Sequence, residues 1–344
     1  MPVRGTFPSH LVNIHPQNTR LTFYDSFHDW LNESTQGNSV ATSNEIKRFN
    51  FLPTTCMLCE SSAARHWYVI TKYKQGDLHF VKCNGCETIY QNPMPDQESM
   101  QQFYNSQNFF NCTATADELT GYRDYDGEEY TRNKNAEKRL NELEQLYSAQ
   151  RKLRILKVAC GYGALVKLAQ DRGHEAQGID FSDAMLDGAR KRYGLELIHA
   201  DFLQYDFGAQ RFDMVVLYGA INNFLRPLDV ARKALSILEP GGFYVVNHVW
   251  PGSFPEMLLR SRYWIYRPPI IGLYPKRAFQ TYHVKLGFEH HRSQYDMQYL
   301  TGDKLFGYLQ IRPFLNVINK LGFSQLGCTI PIPGYAREFF RKPT

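Results

Sequence analysis

The fold is decided by residues 153–182, which read LRILKVACGYGALVKLAQDRGHEAQGIDFS. The apolar run at 153–159 predicts a short buried strand of a parallel sheet. Two glycines at 161 and 163 end this run, and residues 164–172 then place apolar side chains on one helical face. A second strand ends at Asp180, and Ser182 can cap the helix that follows. The stretch therefore reads as strand, glycine loop, helix, strand and acid.

The glycine loop favours a ligand-binding role. Glycines let the backbone come close to a ligand at a helix N-terminus, and an acid at the end of the second strand can bind a pair of ribose hydroxyls. The spacing of Gly161 and Gly163 differs from the dinucleotide fingerprint, which needs three glycines. The loop alone leaves open an ordinary strand–turn–helix unit of some other α/β protein.

The alternation of strands and helices continues downstream. Residues 195–200, 212–217 and 243–249 read as strands, and residues 228–238 read as a helix that ends in Glu-Pro-Gly-Gly. This pattern predicts an α/β fold with a parallel sheet, whose ligands bind at the carboxyl ends of the strands.

With these motifs in order, the region resembles the class I S-adenosylmethionine-dependent methyltransferases. The resemblance implies a doubly wound, mostly parallel seven-stranded Rossmann-like sheet. By this resemblance, residues 159–163 are the glycine motif, Asp180 binds the ribose of the cofactor, and the Asp201–Phe202 pair binds its adenine. The cofactor-binding residues that it implies are Ala159, Gly161, Gly163, Asp180, Phe181, Asp201, Phe202 and Tyr218.

The chain departs from the family pattern at two positions. Lys157 stands where the family usually has an acid, and Ala159 replaces the first glycine of the loop. Three interpretations of Lys157 are open. The substitution is compensated elsewhere in the site, or it makes the site prefer a cofactor with an additional negative charge, or the chain has lost cofactor binding. A lysine ammonium near a sulfonium is electrostatically unfavourable unless it is screened or paired.

Two Cys-x2-Cys pairs predict a structural zinc site at Cys56, Cys59, Cys83 and Cys86. Four thiolates form the closed tetrahedral shell of a structural zinc ion, with no open position for water. Four unrelated buried cysteines are the alternative. The module, which is followed by Asn-Pro-Met-Pro at 92–95, is similar to the zinc-bearing front module of family members that act on deoxysugars and natural-product intermediates.

Residues 250–311 are longer than the minimal fold requires. Between 250 and 285 there are six Lys or Arg and one acid, interleaved with aromatic residues. We expect a lid over the acceptor; an RNA-contacting surface, a stretch that touches anionic lipid and a basic dimer interface remain alternatives. The expected acceptor-binding residues are Asn222, Arg260, Arg262 and Tyr266. The expected catalytic residues are His248, as a general base at the end of the fifth strand, and Tyr218.

The expected domains are an N-terminal extension (1–50), a zinc ribbon (51–95), a helical linker or cap (96–150) and the methyltransferase domain (151–344) with its lid insertion. The net charge of +5 does not by itself call for nucleic acid. There is no apolar run long enough for a transmembrane helix and no apolar signal core, which makes a cytoplasmic protein the default expectation. A homodimer is one arrangement that the basic insert allows.

Three functions are compatible with these features. The first is methyl transfer to the oxygen or carbon of a small, anionic or glycosylated acceptor. The second is an RNA methyltransferase that uses the ribbon to contact RNA, although the ribbon is not strongly basic. The third is a catalytically silent scaffold, an interpretation that the lysine at position 157 leaves possible.

Overall fold

The structure is a computed structural model that describes residues 48–106, 125, 127–147, 151–302 and 326–344. The expected N-terminal extension lies almost entirely outside these residues. None of the helices described is both long and apolar enough to cross a membrane.

The cysteine-containing module is built from short strands. They are β1 (Phe51–Leu52), β2 (Ala64–Ile70), β3 (Leu78–Cys83), β4 (Ile89–Gln91) and β5 (Met94–Pro95). β2, β3 and β4 pair in antiparallel order, while β1 pairs separately with β5. Two helices follow, α1 (Gln97–Asn105) and α2 (Glu129–Glu144).

Seven strands form the main sheet. They are β6 (Arg154–Val158), β7 (Glu175–Asp180), β8 (Ile198–His199), β9 (Phe212–Leu217), β10 (Leu238–Val249), β12 (Glu289–Thr301) and β13 (Gly327–Arg341), in the order β12-β13-β10-β9-β6-β7-β8. The first five run parallel, and β13 pairs antiparallel with both β10 and β12. A mostly parallel seven-stranded sheet is confirmed. Because the order is mixed, its description as doubly wound stays a prediction.

Helices connect these strands and bury both faces of the sheet. The helices are α3 (Ala164–Asp171), α4 (Asp183–Tyr193), α5 (Pro227–Ile237), α6 (Phe254–Leu259) and α7 (Lys276–Lys285). Met214 and Val216 of β9 belong to one apolar core with residues of α2 and α3, whereas Val215 and Leu217 belong to another core with residues of α5 and α7. Successive strand residues point to opposite faces, so a continuous apolar strand such as β9 requires cover on both sides.

The insertion after β10 does not stand apart as a separate lid. Its two-residue strand β11 (Gly272–Leu273) pairs antiparallel with β4, so the ribbon sheet has four strands in the order β11-β4-β3-β2. The buried Gln91 side chain donates from Nε2 to the carbonyl of Ile270 at 2.9 Å, and its backbone N–H donates to Ile271 at 2.9 Å. The later part of the insertion supplies α7 and β12, which belong to the main domain. The first part therefore joins the ribbon to the main domain.

The last strand, β13, is continuous from Gly327 to Arg341. The sequence predicts two strands, near residues 324–330 and 336–341, and β13 pairs with β12 through residues 327–331 and 336–341, with a break in register between them. The sequence also predicts a helix at 313–321, which lies outside the described residues.

Candidate cofactor and metal sites

The glycine loop and the end of β7 are joined directly. The backbone N–H of Gly161 donates to Asp180 Oδ2 at 2.9 Å, and that of Ser182 donates to Asp180 Oδ1 at 3.1 Å. Burial raises the pKa of the Asp180 carboxyl, and the two backbone donors oppose that shift. Each carboxylate oxygen keeps a further lone-pair direction that can accept a hydroxyl. The side chain is partly exposed, as a ribose-binding acid must be.

Three loop residues adopt left-handed backbone conformations. Gly161 has φ of 57° and Gly163, the residue preceding α3, has φ of 81°. Ala159 has φ of 48°, a conformation that costs an L-residue with a Cβ roughly 1–2 kcal/mol and that glycine adopts freely. A Cβ added to Gly161 would lie only 2.7 Å from the Tyr125 hydroxyl. The backbone thus keeps the shape of a glycine loop even where alanine replaces glycine.

Lys157 is buried at the end of β6, next to this loop. Its Nζ donates to the carbonyl of Val158 at 2.7 Å and to that of Ala159 at 3.0 Å. Burial lowers the pKa of Lys157 to about 8; the charge of Arg139 lowers it further, while Cys160 and Asp180 oppose the shift. The ammonium is therefore held by loop carbonyls and does not extend across the loop into solvent.

Tyr218 lies directly after β9 and is surrounded by cations. The guanidinium of Arg139 is 4.5 Å from its ring centroid, that of Arg337 is 5.4 Å and Lys157 Nζ is 5.9 Å away. Its hydroxyl is buried and has no hydrogen-bond partner in the described part of the chain. Burial raises its pKa, so the phenol is protonated at neutral pH.

Two carboxylates balance part of this charge. Arg337 pairs with Asp296 and with Glu142, and Arg139 lies 3.7 Å from Asp296. Asn247 continues the network, because its Nδ2 donates to Asp296 at 2.9 Å and its Oδ1 accepts from Gly219 N at 2.6 Å. This network fixes the turn after β9.

The expected adenine pair separates into one polar and one core residue. Asp201 accepts from Leu203 N at 2.8 Å and from Gln97 Nε2 at 3.1 Å, so the first residue of α1 meets the turn after β8. Phe202 instead points into the core, where its ring centroid is 6.0 Å from that of Phe207. Phe202 is therefore not placed as the cover of a bound ring. Phe181 is partly exposed and contacts Tyr104 of α1 edge to face.

Residues before the main domain cover the glycine loop. The Tyr125 ring packs edge to face on Tyr162 with centroids 4.6 Å apart, and the Arg132 guanidinium lies 4.0 Å from the Tyr125 ring centroid. The sequence places these aromatic and basic side chains ahead of the sheet but does not give their positions over the loop. Gln97 and Arg139 carry no motif at all, since each reaches the site only through the packing of its helix.

His248 does not reach the glycine loop. It follows Asn247 in β10 and therefore faces the other side of the sheet. Its ring is fully buried, stacks on Phe279 of α7 with centroids 4.2 Å apart, and lies 3.5 Å from Glu338. A histidine enclosed in this way has no path to an acceptor, so its role as a general base stays a prediction that its position does not favour.

The expected acceptor-binding residues are spread over two places. Asn222 is buried, accepts from Val249 N at 2.8 Å and donates to Gly272 O at 2.6 Å, so it holds the insertion onto β10. Tyr266 is buried against the ribbon, where it donates to Glu256 and accepts from Trp67. Arg260 and Arg262 are exposed in the turn after α6, which contacts β2. The structure does not bring these four side chains together.

The four ribbon cysteines do come together. All four sulfurs lie within 4.8 Å of one another, and the Cys56–Cys86 and Cys59–Cys83 pairs are each 3.4 Å apart. Tetrahedral zinc with Zn–S bonds near 2.3 Å spaces its sulfurs about 3.8 Å apart, so the group fits the ion. The Gly85 N–H donates to Cys83 Sγ at 3.4 Å, the kind of outer contact that orients a metal thiolate. With four protein ligands the site suits a structural ion.

Comparison with known proteins places residues 155–242 in the family model described as a methyltransferase domain. A demethylmenaquinone methyltransferase of Clavibacter sepedonicus is 30% identical over 117 residues, which cover 33% of this chain and 47% of that protein. Its counterpart in Listeria welshimeri serovar 6b is 25% identical over 148 residues, covering 40% and 63% respectively. The chain thus spans 47% to 63% of the length of these curated relatives.

Solved structures give a weaker likeness. The magnesium protoporphyrin IX methyltransferase of Synechocystis PCC 6803 with bound SAH has a TM-score of 0.45 and 11% identity, covering 70% of this chain and 97% of that chain. An S-adenosylmethionine-dependent methyltransferase of Mesorhizobium loti has a TM-score of 0.42 and 17% identity, covering 59% and 96%. The family-model match falls on the segment from β6 to the start of β10, which carries the glycine loop, Asp180 and Tyr218.

Proposed function

We propose that the methyltransferase domain of this chain, residues 155–242, transfers a methyl group from S-adenosylmethionine to an oxygen or carbon atom of a small acceptor. The observation that carries the proposal is the contact between the glycine loop and Asp180, because it holds a partly exposed acid beside a loop whose backbone is left-handed at Gly161 and Gly163. We also infer that the sheet is doubly wound, since apolar cores cover both of its faces.

The cofactor would lie across the ends of β6, β7 and β8. Asp180 would hold its ribose and Asp201, oriented by Gln97, would accept from its base. The loop from Ala159 to Gly163 would approach its amino-acid end, under Tyr125. The bound cofactor supplies an activated methyl group, which a nucleophile displaces in line.

The residues of this chain have mainly positioning work to do. Tyr125, which packs on Tyr162 of the loop, would shield a bound cofactor from water, and this would strengthen electrostatic contacts at the site. Tyr218 carries a protonated, unpaired hydroxyl that can donate to an acceptor oxygen. Arg139, Arg337 and Lys157 around its ring favour an acceptor that bears negative charge, such as a carboxylate or a phenolate. The curated relatives are named for demethylmenaquinone, which makes that compound one acceptor to test.

The cofactor assignment is tested by calorimetric titration with S-adenosylhomocysteine. Replacing Asp180 with Asn should weaken binding at least about tenfold, because the amide loses the charge-assisted bonds to the ribose. The matched control is Asp187→Asn, an exposed carboxylate on α4, which should leave the affinity unchanged. Absence of any heat with the wild-type chain would exclude the enzyme and favour a silent scaffold. Equal affinity of the Asp180 variant would show that the ribose lies elsewhere.

A further inference from the structure

The ammonium group of Lys157 occupies hydrogen-bond acceptors in the glycine loop. Its Nζ donates to the carbonyls of Val158 and Ala159 at 2.7 Å and 3.0 Å, and the side chain is buried. These acceptors lie at the end of β6, where the amino-acid end of the cofactor would approach. An ammonium of the chain therefore bonds to groups to which the cofactor's own ammonium could donate. A second ammonium beside it would meet like-charge repulsion.

The two carboxylates on the far side of Tyr218 are engaged with other groups. Asp296 is fully buried, accepts from Asn247 at 2.9 Å and from Gln298 at 2.7 Å, and pairs with Arg337. Glu142 pairs with the same arginine. Neither carboxylate is therefore free to hold the ammonium of a cofactor.

Arg139 of α2 is a cation that lacks a hydrogen-bonded partner among the described residues. Its guanidinium lies 4.5 Å from the ring centroid of Tyr218, and Asp296 is 3.7 Å away, which is longer than a hydrogen bond. Its Nε is buried and donates to no group in the part of the chain that the structure describes. A buried donor without a partner is costly, and the fork of guanidinium donors matches a carboxylate. The arrangement therefore suits an incoming carboxylate.

Arg139 lies near the same strand ends as Lys157. β6 and β9 are paired neighbours, so Tyr218, directly after β9, lies beside Ala159, directly after β6. Lys157 Nζ is 5.9 Å from the Tyr218 ring centroid, and the charge of Arg139 lowers the pKa of Lys157. Two cations thus meet the position that the amino-acid end of the cofactor would take.

We propose that this chain recognises the amino-acid end of its cofactor through the carboxylate, which Arg139 binds, and not through the ammonium, whose place at the loop carbonyls Lys157 takes. The inference rests on the proposed function, because the ligand is S-adenosylmethionine. It reverses the charge that the resembled family usually places at position 157. Arg139 and Lys157 would then decide which cofactor analogues bind. A carboxylate of the acceptor is the other possible source of the same chemistry.

Calorimetric titration at neutral pH with a set of cofactor analogues tests the proposal. The ligands are S-adenosylhomocysteine, its decarboxylated form, its deaminated form, and methylthioadenosine, which lacks the amino-acid end. Removing the carboxylate should weaken binding at least about tenfold, because a charge-assisted pair is lost. Removing the ammonium should change the dissociation constant by less than about threefold, since no group of the chain holds it.

Variants assign these effects to residues. Arg139→Gln should weaken S-adenosylhomocysteine to the level of the decarboxylated form and leave that form unchanged, which is the signature of a direct pair. Arg139→Lys keeps the charge and should retain part of the preference for the carboxylate. Lys157→Met frees the loop carbonyls, so ligands with an ammonium should gain affinity relative to the deaminated form. The matched control is Lys134→Gln, an exposed residue of α2 paired with Glu137, which should leave all four affinities unchanged.

Several results would overturn the inference while the proposed function stands. Equal wild-type affinity for S-adenosylhomocysteine and methylthioadenosine would show that the amino-acid end is not recognised, and a large loss on deamination would show that the ammonium is. If Arg139→Gln kept the full preference for the carboxylate, the cofactor's carboxylate would not be its ligand and the acceptor's would be favoured. Absence of S-adenosylhomocysteine binding to the wild type would instead remove the proposed function, and this inference with it.

Discussion

At the scale of single residues, Lys157 stands where the family that this chain resembles usually has an acid. A buried ammonium with a pKa of about 8 is mostly charged at pH 7 and mostly neutral about two pH units higher. Its two bonds to loop carbonyls hold it close to where a cofactor's amino-acid end would lie. The protonation state of Lys157 should therefore change the affinity for a cationic sulfonium more than the affinity for a neutral thioether.

This difference leads to a prediction about S-adenosylmethionine and S-adenosylhomocysteine, which differ by the methyl group and its charge. Below pH 8 the charged Lys157 opposes the sulfonium, so the ratio of the two dissociation constants should favour the thioether. As pH rises through about 8 the ratio should shift toward the sulfonium by on the order of tenfold, the effect of one unit charge at protein-like dielectric. Calorimetry at several pH values gives both constants.

The dependence should disappear in Lys157→Met, which removes the titrating group. It should persist in Lys152→Met, whose side chain is largely exposed and paired with Glu175. A ratio that does not change with pH in the wild type would mean that Lys157 stays far from the sulfonium.

The positions of single residues also show what a sequence pattern can and cannot predict. The glycine loop and Asp180 are adjacent in the structure because the strand–loop–helix–strand pattern fixes their topology. His248 and Asn247 are adjacent in the sequence, yet only Asn247 faces the turn after β9, because strand residues alternate between faces. In β10 both faces are apolar and buried, so periodicity does not reveal which residue turns toward the site.

At the scale of elements, the main strands follow from their apolar runs, but β11 does not. A two-residue strand has no periodicity to read, and its partner β4 lies about 180 positions earlier in the chain. The basic and aromatic composition of the insertion predicted a lid; in the structure its buried aromatic residues, such as Tyr266, pack on the ribbon. The helix α2 lies in the segment expected to be a helical linker or cap, but the contact of Arg139 with Tyr218 depends on tertiary placement.

The β11–β4 pairing gives the prediction at this scale. Gln91→Leu removes the side-chain donor to the Ile270 carbonyl, and a buried carbonyl without a partner costs about 1–3 kcal/mol. Amide hydrogen exchange should therefore become faster at residues 270–274 and 89–91, with β6 and β9 unchanged. Gln102→Leu is the control, because that side chain lies exposed on α1. Unchanged exchange at residues 270–274 would show that Gln91 does not hold the insertion.

At the scale of the whole molecule, the cysteine-containing ribbon and the main domain share one apolar core. Cys56, Leu58 and Cys83 belong to the same buried cluster as Tyr274 and Phe279. The ribbon is also joined to the insertion by β11 and by the bond from Trp67 to Tyr266, which anchors Glu256 and with it α6. We therefore expect that loss of a metal bound to the four cysteines destabilises residues well outside 51–95.

The prediction is that a zinc chelator accelerates hydrogen exchange at residues 56–91 and also at 254–285, while β6, β7 and β9 stay protected. Structural zinc contributes on the order of 10 kcal/mol of folding free energy in small domains, more than the pairing of β11 can compensate. Cys86→Ser should purify with less than one zinc per chain and show the same exchange pattern without chelator. Cys328→Ser, at an exposed cysteine outside the cluster, should behave like the wild type.

Hydrogen exchange on the chelated sample also separates two arrangements. If exchange rises only within residues 51–95, the ribbon folds as an independent module and the shared core contributes little to holding the insertion. If exchange rises at residues 254–285 as well, the metal stabilises the insertion through β11 and through the bond from Trp67 to Tyr266.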